Sequence, residues 1–263
     1  MNIPEIIDAN THITRSGKWF ETTRDASLNA LIKEMENANI NKSLLVALPE
    51  VIENEFILEC CEKYPKKLIP IAALNPKKLY RATLASTLLE IKEKNFKAIK
   101  LHNRLSQHNP LDDDFLALLE INNSLENPNV IFICSLFYSK DLYFDKTPPQ
   151  IIHFLSNQFP KTTFLFMHAG GSWFLQVVEA IRDCPNAYLD LSFSISKYKE
   201  SSFSIDLKYL INTFDQRLVW GSDFPEYLPK AAKQDFLSLT DATIPSEKIQ
   251  NIMANNIKKI LNL

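Results

Sequence analysis

Seven polar side chains sit where apolar runs of the chain end: Asn10 and His12 in "IIDANTHI", Lys100 and His102 in "FKAIKLH", Cys134 in "VIFICSL", His168 in "FLFMHAGG" and Asp223 in "WGSDFP". Polar groups two apart on an extended run share one face. If the strand is buried on both sides, that face needs hydrogen-bond partners or a ligand. Imidazoles near a carboxylate can move protons or hold a metal ion. Lys100, His102 and Arg104 bring positive charge that suits a carboxylate-bearing substrate.

Blander roles exist for each. Lys100 and His102 could pair with Asp190 or with the acidic run at 112–114, Cys134 could be plain core, and Asp223 could cap a turn. Asp190 in "YLDLS" reads as a buried hydrogen-bonding scaffold, and His108 and His153 as solvated or satisfied histidines. Trp19, Phe137, Tyr138, Trp173 and Tyr227 fall after strands and are candidates to wall an apolar or aromatic pocket.

Bringing these groups together requires strands whose ends converge. Short β-branched runs predict strands at 5–13, 42–48, 68–74, 96–102, 130–136, 162–168, 187–192 and 218–223. Amphipathic segments predict helices at 27–38, 53–63, 80–94, 112–124, 149–157, 172–182, 201–212 and 229–239. A last helix over 246–261 has Ser246 as its expected N-cap. Nearly all-apolar strands, each followed by a helix, mean a parallel sheet covered on both faces. Eight such units predict an α/β fold, the (β/α)8 TIM barrel, in a single domain over 1–263 with an extra C-terminal helix. A doubly wound open sheet would put a glycine-rich turn after its first strand, and "NTHITRSGKW" has one glycine. In barrels of this kind the chemistry sits at the C-terminal strand ends, where the seven polar residues lie.

The bulk numbers fit. The chain has 263 residues, 46% hydrophobic and 23% charged, with 29 basic and 31 acidic side chains and a net charge of −2. No block of one sign points to nucleic acid or an anionic membrane as partner. No apolar stretch approaches the roughly 20 residues that span a bilayer. The start lacks a basic segment followed by an apolar run, so no signal peptide is expected. Cys60, Cys61, Cys134 and Cys184 form no C-x-x-C pair, as expected of a reduced, cytoplasmic protein. A small-molecule substrate is the expected partner, and a homodimer stays open. Only four glycines occur, Gly17, Gly170, Gly171 and Gly221, and the last three lie in or beside the polar strand ends.

Six segments, "DANTHI", "FKAIKLH", "FLFMHAGGSW", "NAYLDLS", "LVWGSDFP" and "NNIKKIL", resemble in order the signatures of the amidohydrolase-related family. These barrel hydrolases and decarboxylases include aminocarboxymuconate semialdehyde decarboxylase. The resemblance implies a divalent metal, usually zinc, held by a His-x-His on the first strand, a His on the fifth and an Asp on the eighth. A sixth-strand His acts as acid/base. This chain matches at His12, His168 and Asp223, and departs from the pattern at Asn10 and Cys134. The resemblance therefore leaves two arrangements open. In one, His12, Cys134 and Asp223 hold zinc; in the other the metal is lost, as in members that open lactones with the carboxylate as base.

On this footing His168 and Asp223 are the expected catalytic residues, and Asn10, Lys100, His102, Arg104 and Trp173 the substrate-binding ones. The expected activity is hydrolysis or decarboxylation of a small carboxylated, cyclic or aromatic substrate. Metal-independent lactone or ester hydrolysis is the alternative within the fold. A catalytically inactive barrel acting as a binding protein is the alternative outside it, kept open by Asn10 and Cys134 and opposed by His168 and Asp223.

Overall fold

A computed structural model describes residues 5–138 and 142–263. Eight strands, β1 (Ile7–Thr11), β2 (Lys42–Val46), β3 (Leu68–Leu74), β4 (Ile99–Leu101), β5 (Ile131–Cys134), β6 (Phe164–Met167), β7 (Ala187–Asp190) and β8 (Leu218–Val219), lie in sequence order. Each pairs in parallel with the next. Backbone bonds join the first strand to the last: Ala9 N donates to the Trp220 carbonyl at 3.2 Å, and Asp223 N to that of Asn10 at 2.9 Å. The architecture is a (β/α)8 barrel.

The pleat explains how it fills. One set of alternating residues, Ile7, Ala9, Leu44, Val46, Ile69, Ile71, Phe132, Leu165 and Val219 among them, packs with Ala254, Ile257, Ile260 and Leu261 of the C-terminal helix, which plugs one end. The other set meets the surrounding helices in a larger core. Carrying the inner alternation two residues further along β4, β5 and β7 brings Lys100, Cys134 and Asp190 to the inner face. The layer above the apolar filling is therefore polar, and it holds the site.

Most of the expected elements have their counterparts, with shorter strands. The strand expected over 218–223 is shorter, Leu218–Val219, although beyond it Asp223, at a positive φ, still donates its N–H to the Asn10 carbonyl and Phe224 bridges Thr11. Two short helices, Asn103–Ser106 after β4 and Ser194–Lys197 after β7, were not expected. The segment expected to be helical over 80–94 divides into a 3-10 turn, Arg81–Thr83, and a helix, Leu84–Glu93. Ser246 is not an N-cap: Pro245 takes that position, and Ser246 is the first helical residue, with no side-chain cap bond. At the first barrel helix Ser27 does cap, accepting from Ala30 N at 3.2 Å. Among the described residues no helix is long and apolar enough to cross a membrane, and all four cysteines are free and buried.

Candidate active site

A cavity of about 290 Å³ opens at the C-terminal strand ends. His12, Lys100, His102, His168 and Asp223 supply its polar lining, and Trp19, Phe20, Leu136, Tyr138 and Phe193 are among its apolar walls. Arg104 and Glu226 also face it. Asn10 and Cys134 are fully buried and lie outside this lining.

The β8 end supplies the carboxylate. Asp223 sits at φ +66°, the left-handed region that a non-glycine residue enters at a cost of about 1–3 kcal/mol. Its Oδ1 accepts from Asn10 Nδ2 at 2.6 Å and lies 3.7 Å from His12 Nε2. Among the described residues nothing donates to Oδ2. Burial raises the Asp223 carboxyl to about 6, against the opposing pull of His168 and Lys100. His12 Nδ1 lies 2.8 Å from the Val46 carbonyl, which can only accept, so Nδ1 carries the proton and Nε2 is a bare acceptor. Burial, reinforced by Lys100, pushes His12 down to about 3 and keeps it neutral.

The Asn10 amide has a fixed orientation. Ser192 Oγ donates its only hydrogen to Asp190 Oδ2, so toward Asn10, 3.0 Å away, it can only accept. Asn10 must therefore present Nδ2 to Ser192 and Asp223, which leaves its buried Oδ1 without a partner. Gly221 permits this closeness, since a Cβ there would stand 3.1 Å from Asn10 N and 3.0 Å from Asp190 Oδ1.

His168 comes from the end of β6, also with positive φ, +67°. Its backbone N–H donates to Asp190 Oδ2 at 3.2 Å, and Nδ1 donates to the Ser192 carbonyl at 3.1 Å. The turn that follows needs Gly170, whose φ is +74° and whose missing Cβ would stand 2.6 Å from Val177 Cγ2. Burial disfavours a charged His168, but Asp223 and Cys134 outweigh it and raise its pKa.

The β4 and β5 ends form the cationic side. Burial lowers the Lys100 ammonium, while Cys134 and Asp223 favour its charge. Lys100 makes no salt bridge within 4.0 Å among the described residues, so the alternative role, pairing with Asp190 or residues 112–114, is not the one it takes. His102 Nδ1 accepts from Leu105 N at 3.3 Å. Arg104 reaches Cys134 Sγ at 3.9 Å and lies over the Tyr138 ring at 5.0 Å. Burial would push the Cys134 thiol up, yet His102 and His168, within hydrogen-bonding reach, and Arg104 hold it well below its ordinary value. Burial lowers the His102 pKa, and with Nδ1 accepting from Leu105 N its free hydrogen is on Nε2.

Of the residues expected at the site, His12, Lys100, His102, Arg104, His168 and Asp223 share the cavity, with Asn10 and Cys134 packed against them. Trp173 does not join them: it follows the turn after β6 and is 41% exposed. Phe137 and Tyr227 are also outside the lining, whereas Trp19 and Tyr138 belong to it. Contributors that had not been anticipated include Phe20, Leu136, Phe193, Ser192 and Glu226. Ser192 carried a signal, two residues beyond Asp190 on the same run. Glu226 accepts from Trp19 Nε1 at 2.8 Å and pairs with Arg24 at 3.2 Å, holding Trp19 stacked on His12. His108, expected to be solvated or satisfied, is buried edge-on to Phe115 with neither ring nitrogen partnered.

The donor set does not fit the metal that the resemblance implied. Among the described residues no three His, Cys, Asp or Glu side chains stand together to hold an ion. At the first-ligand position Asn10 presents N–H, a donor, to the very carboxylate oxygen that faces His12.

A family model described as amidohydrolase matches residues 7–263. An uncharacterized TIM-barrel protein of Bordetella bronchiseptica is 16% identical over 98% of each chain, with a TM-score of 0.80. A probable 2-pyrone-4,6-dicarboxylic acid hydrolase of Acinetobacter baumannii is 16% identical over 98% of this chain and 100% of its own, at 0.67. A 5-carboxyvanillate decarboxylase of Novosphingobium aromaticivorans, complexed with manganese and 4-hydroxy-3-methoxy-5-nitrobenzoic acid, is 12% identical over 98% and 96%, at 0.68. At these identities the likeness concerns the fold. No curated protein sequence matches significantly.

Proposed function

This chain belongs to the amidohydrolase family, and from that membership we propose that it is a hydrolase opening a small, flat, carboxylated cyclic ester. One observation carries the reading. Two acceptors, the neutral His12 Nε2 and the Asp223 carboxylate, stand 3.7 Å apart on a cavity floor whose opposite side is cationic. A water donating one hydrogen to each would be oriented for attack, which hydrolysis needs and decarboxylation does not. The cavity volume of about 290 Å³ suits a small molecule. Trp19, Phe20, Tyr138 and Phe193 suit a flat ring. A fold relative is described as a probable hydrolase of 2-pyrone-4,6-dicarboxylic acid, a cyclic ester of this class.

In the reaction, Arg104 and His102 hold the substrate carboxylate. Asp223 takes a proton from the water as its oxygen adds to the ester carbonyl, and Lys100 faces the oxyanion. The ring C–O bond breaks, and the leaving oxygen takes a proton from His168. The product is an open-chain hydroxy acid, or its keto form when the leaving oxygen is enolic. Asp223 returns its proton through solvent to His168.

The test is the pH dependence of hydrolysis of 2-pyrone-4,6-dicarboxylate and simpler carboxylated δ-lactones. Asp223 must be ionised to accept a proton and His168 protonated to give one, so kcat/KM should rise with pH through about 6 and fall again above the raised pKa of His168. Activity that rises toward acid, or none on any carboxylated lactone, would remove the proposal. Carbon dioxide release from a carboxylated phenol would put decarboxylation first.

A further inference from the structure

Three observations at Asn10 and its surroundings lead past the choice of substrate. The amide is locked with its N–H on Asp223 Oδ1 at 2.6 Å, because the hydrogen of Ser192 is committed to Asp190. A cation between Asn10 and Asp223 would have to displace that bond and face Nδ2, which cannot ligate it, or turn the amide and break its bond to Ser192 as well. The second observation is that Cys134, where the family pattern has its fifth-strand ligand, is engaged instead by Arg104, His102 and His168. The third is that the Lys100 and Arg104 side chains already line the floor, where an added divalent ion would meet like charge.

We propose that this centre works without a bound metal ion, and that Asn10 is the positioning residue that replaces it. The run Asp190–Ser192–Asn10–Asp223 fixes one carboxylate oxygen and leaves Oδ2 turned to the cavity. Lys100 and Arg104 supply the fixed charge that an ion would have brought. The proposal rests on reading Asp223 as the base in its Asn10 part only, and its metal part needs no substrate.

The test has two arms. In the first, the full chain is stripped with chelator, titrated calorimetrically with zinc chloride and separately with manganese chloride, and analysed for metal after growth in supplemented medium. The expected result is no saturable binding tighter than about 100 µM and substoichiometric metal in the purified protein. Asn10→His with Cys134→His, which returns two imidazoles, should bind zinc at least tenfold more tightly. Stoichiometric wild-type binding near 1 µM or tighter would overturn the metal part, whatever the substrate, and a double variant no better than wild type would overturn the assignment of Asn10 and Cys134 as the residues that exclude the ion.

In the second arm, Asn10→Ala and Asn10→Asp are assayed on the carboxylated lactone. Asn10→Ala removes the donor to Asp223, and Asn10→Asp, which keeps the side-chain shape should the alanine variant fail to fold, replaces the amide with a carboxyl that must share a proton with Asp223 and so takes the base out of use. The expected effect is a loss of kcat of about a hundredfold with KM within about twofold, and wild-type turnover unaffected by chelator. Unchanged kcat in a folded variant would overturn the positioning role. Absence of any lactone turnover, with the first arm as expected, would remove the proposed function and leave the metal-free centre standing.

Discussion

The two sides of the cavity floor bury charge by opposite means. On the β4–β5 side, Lys100 makes no salt bridge within 4.0 Å among the described residues, the Arg104 guanidinium reaches only Cys134 Sγ at 3.9 Å, and no carboxylate stands among them. On the β7–β8–β1 side, Asp8, Asp190 and Asp223 are held by directed donors: Ser222 N to Asp8 at 2.8 Å, Ser192 Oγ and His168 N to Asp190, and the Asn10 amide to Asp223. A group without such bonds can turn toward an incoming anion, whereas a group held by short directed bonds keeps its angle. The first arrangement suits binding and the second suits proton transfer. If that division is right, substitutions on the two sides should separate KM from kcat.

The largest effect should come from the directed side. Asp223→Asn keeps the shape and removes the base, so kcat should fall by about a thousandfold with KM little changed, measured by steady-state kinetics on a carboxylated lactone. Next is the cationic side: Arg104→Leu should raise KM about thirtyfold, equivalent to about 2 kcal/mol, and leave kcat near wild type. A KM effect at Asp223 or a kcat effect at Arg104 would erase the division.

Two smaller effects sharpen it. Glu226→Gln weakens the grip on Trp19 and removes the Arg24 ion pair. It should raise KM a few-fold and increase solvent quenching of tryptophan fluorescence. The smallest effect concerns Asp8, which burial raises to about 7 while one of its oxygens has no partner. A carboxyl whose folded pKa is raised stabilises the fold most at low pH and loses that contribution as pH climbs through the folded value. Asp8→Asn should therefore raise Tm relative to wild type more at pH 8 than at pH 5, as read by thermal melts.

The same two sides show what could be read before the fold was in hand. The barrel was legible because buried parallel strands are nearly all apolar and their helices amphipathic. Lys100, His102, His168 and Asp223 stood out as polar residues ending such runs. Strand ends were read too long, and Asp223 and His168 take positive φ with no glycine to announce it. Phe193 does the same at the end of β7, and so its place in the cavity went unseen. Trp173 was placed by its position after a strand, but the Gly170–Gly171 turn carries it out to solvent. Asn10 was visible as a departure, but its role depends on where the hydrogen of Ser192 goes, a contact 182 residues distant in the chain.

The most direct measurement compares a carboxylated δ-lactone with its methyl ester on the wild-type protein at pH 7.5. The two share the ring and the scissile bond and differ in the charge that the β4–β5 side is built to hold. The account predicts turnover of the carboxylate with kcat/KM at least a hundredfold above that of the ester, the gap collapsing in Arg104→Leu. Equal turnover of the two, or faster turnover of the ester, would contradict it.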